Sequence, residues 1–233
     1  MPADIAYLGK LGATAYRFSV SWSRILPQCS GAVNPLGIAF YNNMINEIIA
    51  NGAIPILTMY HWDTPQACHD QYNSWTSEKI VADFTNYGDV LFKNFGDRVK
   101  YFLTLNEPSA ECGFGYGQKF WPPGMNGGDA LRYQCVHWTN LAHGSVVQLA
   151  RKKYAALNLK FGMPIIIAYG EPLNNTDPND IAAANRMMDI QVQWNWGPLT
   201  TGKMLFIQVI TQLFSKRTHR LARCFRFILL HKN

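Results

Sequence analysis

Short runs rich in apolar, aromatic and β-branched residues recur along the chain and predict four β-strands. They span Ala15–Trp22, Ile54–Tyr60, Tyr101–Leu105 and Ile165–Ala168. Ile54–Tyr60 is almost continuously apolar, which is typical of a strand buried on both faces of a sheet. Polar residues follow each of the first three runs, so these strands are expected to end at a polar site.

Between the strands, apolar residues recur at the three- and four-residue spacing of amphipathic helices. The stripes predict helices over Ile38–Ala50, Ile80–Phe95, His143–Leu157 and, from a weaker pattern, Asp180–Trp194. Thr76 or Ser77 is expected to cap the second of these helices, with Glu78 in its positively polarised first turn.

The alternation of strands and helices predicts a parallel sheet covered by helices. A doubly wound sheet and a (β/α)₈ barrel both satisfy this pattern, but the doubly wound fold expects a glycine-rich turn after its first strand. The strand ends carry Ser-Trp-Ser-Arg, His-Trp-Asp and Asn-Glu-Pro instead, which favours a barrel with its site at that end. Because a complete barrel has eight strands, four strands predict an α/β fold that is a partial TIM barrel and does not close.

The charge distribution separates a neutral domain from a basic tail. Of the 233 residues, 48% are hydrophobic and 15% charged, and the net charge of +6 would favour nucleic acid or a membrane as partner. Residues 1–203 carry equal numbers of acidic and basic side chains, whereas residues 204–233 carry six bases and no acid. We therefore expect a folded domain over 1–203, an apolar basic tail over 204–233 outside the fold, no nucleic-acid partner and no membrane association. An amphipathic membrane helix is the alternative for the tail.

The cysteines and the N-terminus bear on the compartment. Five cysteines are scattered without C-x-x-C or zinc spacing, which favours reduced thiols over a disulfide framework. The N-terminus lacks the pattern of a signal peptide, so the chain taken as it stands is expected in the cytoplasm. Asn174-Asn175-Thr176 is a glycosylation sequon, which matters only in a secreted chain.

The strand ends carry a set of polar and aromatic groups of the kind that binds polyols, together with a carboxyl that could act as a general acid. Sugar hydroxyls need donors and acceptors, sugar ring faces pack on aromatic rings, and a carboxyl can protonate a leaving oxygen. The residues that supply these groups are Arg17, Trp22, Ser23, Arg24, His61, Trp62, Asp63, Asn106 and Glu107. Structural roles are the alternative: Arg17 can pair with a buried carboxylate, His61 can be a structural histidine, and Glu107 can be a solvated loop residue.

Several ordered segments resemble family 1 glycoside hydrolases, the β-glucosidase family. They are AYRFSVSWSRILP, GAVNPLGIAFYNNMINEIIANG, TMYHWDTPQ, FGDRVKYFLTLNEP, GYGQKFWPPG, the stretch His137–His143 and GPLTTGK. The resemblance covers about residues 3–203. It implies a TIM barrel of retaining β-glycosidases that need no cofactor, and the Asn-Glu-Pro motif resembles the O-glycosidases more than the thioglucosidase branch.

The resemblance also implies roles for individual residues. Glu107 falls on the acid/base glutamate of the family, and Asn106 on the amide that holds the sugar 2-hydroxyl. His61 and Trp62 fall on the residues that line the sugar pocket, and Arg17 on the arginine beside the nucleophile. No metal ligand is implied, and the expected partner is a small β-glycoside.

The second carboxyl of a retaining mechanism is missing from the sequence. The family carries its nucleophile in a later Thr/Ser-Glu-Asn-Gly segment, which does not occur here, and Glu111 and Glu171 are expected to be ordinary loop acids. The resemblance implies barrel strands two to five, whose open edges at Ala15 and Ile165 favour self-association. We expect a β-glycosidase fragment that is inactive alone. The alternatives are a carbohydrate-binding pseudoenzyme and a regulatory fragment.

Overall fold

The computed structural model describes residues 2–167 and 169–201. The chain divides into two compact units, one that ends at Ile166 and one that starts at Ile167. The basic tail predicted over residues 204–233 lies outside the described residues, as does the predicted domain boundary at residue 203.

The first unit alternates helices and strands, as the hydrophobic pattern predicts. Its elements are α1 (Pro2–Lys10), β1 (Ala15–Ser19), α2 (Trp22–Ile25), α3 (Pro35–Ala50), β2 (Ile54–Tyr60), α4 (Gln66–Tyr72), a 3₁₀ turn (Ser74–Thr76), α5 (Lys79–Phe95), β3 (Tyr101–Leu105), α6 (Pro108–Glu111), a π-helical turn (Cys112–Gly117), α7 (Gly128–Lys153), a 3₁₀ turn (Ala155–Leu157) and β4 (Lys160–Gly162). The second unit contains α8 (Pro178–Met188), a π-helical turn (Asp189–Gln193) and α9 (Trp194–Thr201).

The four strands form one open parallel sheet in the order β1-β2-β3-β4. Leu57 of β2 lies between Phe18 of β1 and Phe102 of β3, and all three side chains are buried. Apolar side chains dominate β2 because its neighbours and the helices cover it, whereas β1 and β4 are the edges of the described sheet. The predicted α/β architecture with an unclosed sheet is confirmed.

The first strand is shorter than predicted. β1 ends at Ser19, and the chain turns into α2 at Trp22. Trp22 is fully buried, stacks on Tyr87 with ring centroids 5.1 Å apart, and donates its indole N–H to the Cys29 carbonyl. Trp22 therefore serves the core and not the sugar site. Its neighbour Arg24 lies over the Phe40 ring at 4.6 Å, which is a packing contact.

The fourth strand lies earlier than predicted. β4 comprises Lys160–Gly162 and pairs with Tyr101–Leu103, so the expectation of a strand at Ile165–Ala168 is wrong. Pro164 follows β4 and has no N–H to donate to a ladder. Its carbonyl instead accepts the backbone N–H of Glu107. The apolar run at 165–167 forms no strand, and residue 168 lies outside the described residues.

The helices form where predicted, with different ends. α3 starts earlier, at Pro35, because the Asn34 side chain accepts the Leu36 N–H as an N-cap. Neither Thr76 nor Ser77 is the N-cap of α5; Glu78 holds that position. α7 begins at Gly128, well before the predicted stripe, and the last predicted helix ends at Met188, where a π-helical turn follows.

Four of the five cysteines form two disulfide bonds, Cys29–Cys68 and Cys112–Cys135. The expectation of reduced thiols is therefore wrong. The partners lie 39 and 23 residues apart and carry no spacing motif. Only the fold brings them together, the first pair from the loop after α2 and from α4, the second from the π-helical turn and from α7.

Loss of either disulfide is expected to destabilise the first unit. By loop-closure entropy, removing the Cys112–Cys135 bond lowers the free energy of unfolding by about 3.4 kcal/mol, and removing Cys29–Cys68 by about 3.9 kcal/mol. Urea unfolding of the wild type and of the two double Cys→Ala variants measures both losses in the free energy of unfolding. The wild type under dithiothreitol should be less stable than either variant without reductant, because it then lacks both bonds. Equal stability of the wild type with and without reductant would contradict the prediction.

Candidate active site

The carboxyl ends of β1, β2 and β3 bring the predicted site residues to one edge of the sheet. Arg17, in β1, donates to the Thr58 hydroxyl at 2.9 Å and to the side-chain oxygen of Asn106. Its guanidinium is therefore held by a hydroxyl and an amide, and among residues 2–167 and 169–201 it forms no ion pair with the buried carboxylate that was the structural alternative. Thr58 is a partner that the sequence did not single out.

Asn106 is the centre of this network and is 2% exposed. Its backbone N–H donates to the Tyr60 carbonyl at 3.0 Å, and its own carbonyl accepts the Trp62 indole N–H at 2.7 Å. The side-chain oxygen is taken by Arg17. Within the described part of the chain Nδ2 has no recorded hydrogen bond, so this N–H₂ group is the donor left for a ligand.

Two residues at the strand ends have left-handed backbone conformations. Trp62 has φ +71° and Glu107 has φ +46°. Residues other than glycine rarely adopt this backbone region, and residues strained in this way cluster at functional sites. Glu107 is held there by its N–H bond to the Pro164 carbonyl at 2.9 Å and by Pro108, which starts α6. Its side chain is half-buried.

Aromatic rings flank the polar network. The ring of His61 lies edge-on to Trp62 at 5.3 Å between ring centroids, and His61 is exposed. Trp121 lies 4.7 Å from Trp62 between ring centroids and also contacts Phe114. Trp121 was not among the predicted site residues, because no spacing rule links it to Trp62. It lies within a segment that resembles the family.

Beside Trp121 a groove of about 850 Å³ opens between α4 and the segment 119–125. Gln66, Asp70 and Asn73 supply polar groups on one wall, and Phe120 and Trp121 supply aromatic surface on the other. Aromatic faces with a few polar groups are the lining expected of a small-molecule site.

Asp63 fastens the loop that carries His61 and Trp62. Its carboxylate accepts the Trp22 N–H at 3.1 Å and the His61 N–H at 3.5 Å. Burial raises the pKa of Asp63, and hydrogen bonds to Ser21 and to backbone N–H groups act in the opposite direction. Asp63 therefore holds the loop to the first strand end.

Glu111 is not the loop acid that the sequence predicted. It ends α6, is buried, and accepts a hydrogen bond from the Tyr60 hydroxyl. The same hydroxyl accepts the Trp75 indole N–H at 3.0 Å and contacts the Thr64 hydroxyl at 2.6 Å. Burial raises the pKa of Glu111 to about 8, the charge of Asp63 adds to this, and the Tyr60 hydrogen bond opposes it.

Glu171 is an exposed loop residue of the second unit, as predicted. Over residues 2–167 and 169–201, no three His, Cys, Asp or Glu side chains cluster as a metal site. In the same ranges, no helix is long and apolar enough to span a membrane.

Comparison with known proteins identifies relatives of this chain. The model of Glycosyl hydrolase family 1 matches residues 1–222, beyond the boundary predicted at residue 203. β-Glucosidase 12 of Oryza sativa subsp. japonica is 40% identical over 85% of this chain and 42% of its own length. The cyanogenic β-glucosidase of Trifolium repens is 40% identical over 86% of this chain and 50% of its own length.

Solved structures show the same similarity. A rice β-glucosidase in a covalent complex with glucose matches with a TM-score of 0.86 and 36% identity, over 91% of this chain and 46% of that one. Aphid myrosinase matches with a TM-score of 0.85 and 35% identity, over 91% and 45%. The chain spans half or less of the length of each of these relatives. With a family match over most of its residues, the chain belongs to glycosyl hydrolase family 1.

Proposed function

We propose that this chain supplies the acid/base half of a retaining β-glycosidase site that hydrolyses terminal β-D-glycosides. The observation that carries the proposal is the network of Arg17, Asn106 and Trp62 beside Glu107. The network supports the proposal because its central residue, Asn106, directly precedes Glu107, whose side chain is half-buried. An amide donor, aromatic rings and a carboxyl are the groups needed to hold a sugar and protonate its leaving oxygen.

In this proposal Glu107 transfers its proton to the glycosidic oxygen as the bond from that oxygen to the anomeric carbon breaks and a second carboxylate bonds to that carbon. The Glu107 carboxylate then takes a proton from the water that attacks the anomeric carbon and displaces the second carboxylate, which releases the sugar. Asn106 Nδ2 is the donor for the sugar 2-hydroxyl, and Arg17 holds Asn106 in place. His61, Trp62 and Trp121 offer hydrogen-bonding and ring surfaces to the sugar.

The other carboxyl of a retaining pair must lie about 5–5.5 Å from the first. No Thr/Ser-Glu-Asn-Gly segment occurs in the 233 residues. Glu111, only four residues from Glu107, is buried and bound to Tyr60, so it is not available to attack a sugar. We therefore propose that these 233 residues do not complete a catalytic cycle unaided.

An assay of the purified chain with an aryl β-glucoside tests the proposal of inactivity. The expected result is no release of the aryl alcohol above buffer, with tryptophan fluorescence recorded during a glucose titration of the same sample. Turnover that Glu107→Gln abolishes and Glu171→Gln leaves intact would overturn it. Saturable glucose binding without turnover would favour the carbohydrate-binding pseudoenzyme.

A further inference from the structure

The sequon Asn174-Asn175-Thr176 lies in a surface loop that no part of the proposed catalysis uses. Asn174, Asn175 and Thr176 are exposed, and the neighbouring Leu173 is 98% exposed. Asn174-Asn175-Thr176 is also the single Asn-x-Ser/Thr sequence in the 233 residues. An oligosaccharide at this position would project into solvent, which is the condition for such a modification.

Hydrogen bonds within the sequon orient the asparagine side chain in the folded chain. The Thr176 hydroxyl donates to Asn174 Oδ1 at 2.8 Å, and the Thr176 backbone N–H donates to the same oxygen at 3.0 Å. Both bonds fix the orientation of the amide group. In the described residues Nδ2 of Asn174 has no recorded hydrogen bond, so the nitrogen that would form the new bond is not held by the protein.

The start of α8 holds this loop in place. Asp180 accepts the Asn174 backbone N–H at 2.9 Å, and the Asp177 N–H donates to the Asn174 carbonyl at 3.1 Å. Asp177 also caps α8 through the Asn179 N–H at 2.8 Å. The turn conformation is therefore set by the helix that follows it and does not depend on a ligand.

The disulfides supply a second, independent observation. Cys29–Cys68 and Cys112–Cys135 are both fully buried. Disulfides of this kind form and persist in oxidising compartments such as the secretory lumen, and are rare in the cytosol. N-linked oligosaccharides are attached in that lumen, so the disulfides and the sequon require the same environment.

We propose that Asn174 is an N-glycosylation site and that the chain matures in an oxidising secretory compartment. The co-reactant is an oligosaccharide linked to a lipid diphosphate. Nδ2 of Asn174 attacks the anomeric carbon of that sugar, the bond from this carbon to the phosphate oxygen breaks, the lipid diphosphate leaves, and Nδ2 loses one proton. This replaces the expectation of a cytoplasmic protein and does not depend on the proposed catalytic role.

Translation of the full chain with microsomes tests the site. For this experiment a cleavable leader is added before residue 1, and a reporter sequon is added after residue 233, so that a glycan on the reporter shows entry into the lumen. We expect two glycans on the wild type, both removed by peptide N-glycosidase. Asn174→Gln and Thr176→Ala should leave one glycan, whereas Thr176→Ser and the neighbouring control Asn175→Gln should keep two.

The reporter makes every result on the Asn174 site decisive, because it identifies the chains that entered the lumen. A wild-type chain that carries only the reporter glycan has entered the lumen without modification of Asn174 and would overturn the proposal. Two glycans on Asn174→Gln would also overturn it, because the second would then lie elsewhere. Because the oligosaccharide is attached during translocation, neither misfolding of a variant nor lack of glycosidase activity changes the number of glycans.

Discussion

Glu107→Gln is expected to lower the turnover of a β-glucoside by about 10²–10⁴-fold in a barrel that contains both carboxyls. The amide keeps the size of the side chain but can neither protonate the leaving oxygen nor take a proton from water. Because Glu107 keeps its backbone bond to Pro164 and its position before Pro108, the loss should be one of chemistry and not of folding.

A chimera provides the completed barrel for this measurement. Residues 3–203 replace the matching segment of rice β-glucosidase 12, which is 40% identical. Glu171→Gln, at an exposed loop acid, is the matched control and should keep the parental turnover. Thermal unfolding of the three proteins checks that the variants fold alike.

Azide separates an acid/base role from a structural one. In Glu107→Ala, azide can attack the glycosyl intermediate without a general base, so it should restore turnover of an activated aryl glucoside and yield the β-glucosyl azide. A residue that only supported the fold would lose activity without such rescue. Full activity of Glu107→Gln in the chimera would overturn the proposed role.

Glu111→Gln is expected to remove a large loss of stability at rising pH. The folded state raises the pKa of Glu111 from 4.5 to about 8 because the carboxyl is buried. At 1.36 kcal/mol for each pKa unit, this amounts to about 4–5 kcal/mol. It is a large share of the roughly 5–15 kcal/mol that stabilises an ordinary domain.

The sign of the effect follows from which state binds the proton. Between pH 4.5 and about 8 the folded chain keeps the Glu111 proton while the unfolded chain has lost it. The contribution of Glu111 to stability is therefore greatest below pH 4.5 and falls as the pH rises to about 8, where the loss of this contribution is complete. Asp63, whose pKa is also raised by burial, contributes in the same direction, so the variant is needed to isolate Glu111.

Urea unfolding of the 233-residue chain between pH 4.5 and 8.5 measures this effect. Glu111→Gln retains an oxygen that can accept the Tyr60 hydroxyl, so it should resemble the wild type at pH 4.5 and become progressively more stable than it at higher pH. Glu171→Gln should follow the wild type throughout. Parallel curves for the wild type and Glu111→Gln would show that Glu111 titrates normally.

The strand–helix order and the chemistry of the strand ends could be predicted because both are local properties. A period of two or of 3.6 residues is visible in any short window, and Asn106-Glu107-Pro108 directly follows the apolar run of β3. Arg17, His61, Trp62 and Asn106 come together, since the carboxyl ends of neighbouring parallel strands meet at one edge. The ends of the first three predicted strands therefore became predicted parts of the site.

Local patterns failed where a residue's role depends on distant contacts. Trp22 directly follows an apolar strand, yet its contacts with Tyr87 and the Cys29 carbonyl make it a core residue. The apolar run at Ile165 resembles a strand, but the backbone partners of β3 lie at Lys160–Gly162. The hydrogen-bond register of a strand depends on the backbone groups of the neighbouring strand, and it cannot be predicted from the hydrophobicity of the strand itself.

The family, the strand–helix alternation and the acid/base candidate could be read from the amino-acid order alone, because ordered motifs and periodicity need no knowledge of contacts. The tertiary structure decided the two disulfides, the burial of Glu111 under Tyr60 and the approach of Trp121 to Trp62. Cys29 and Cys68, or Tyr60 and Glu111, are separated by tens of residues. Their chemistry changes only when folding removes water from between them and brings them within bonding distance.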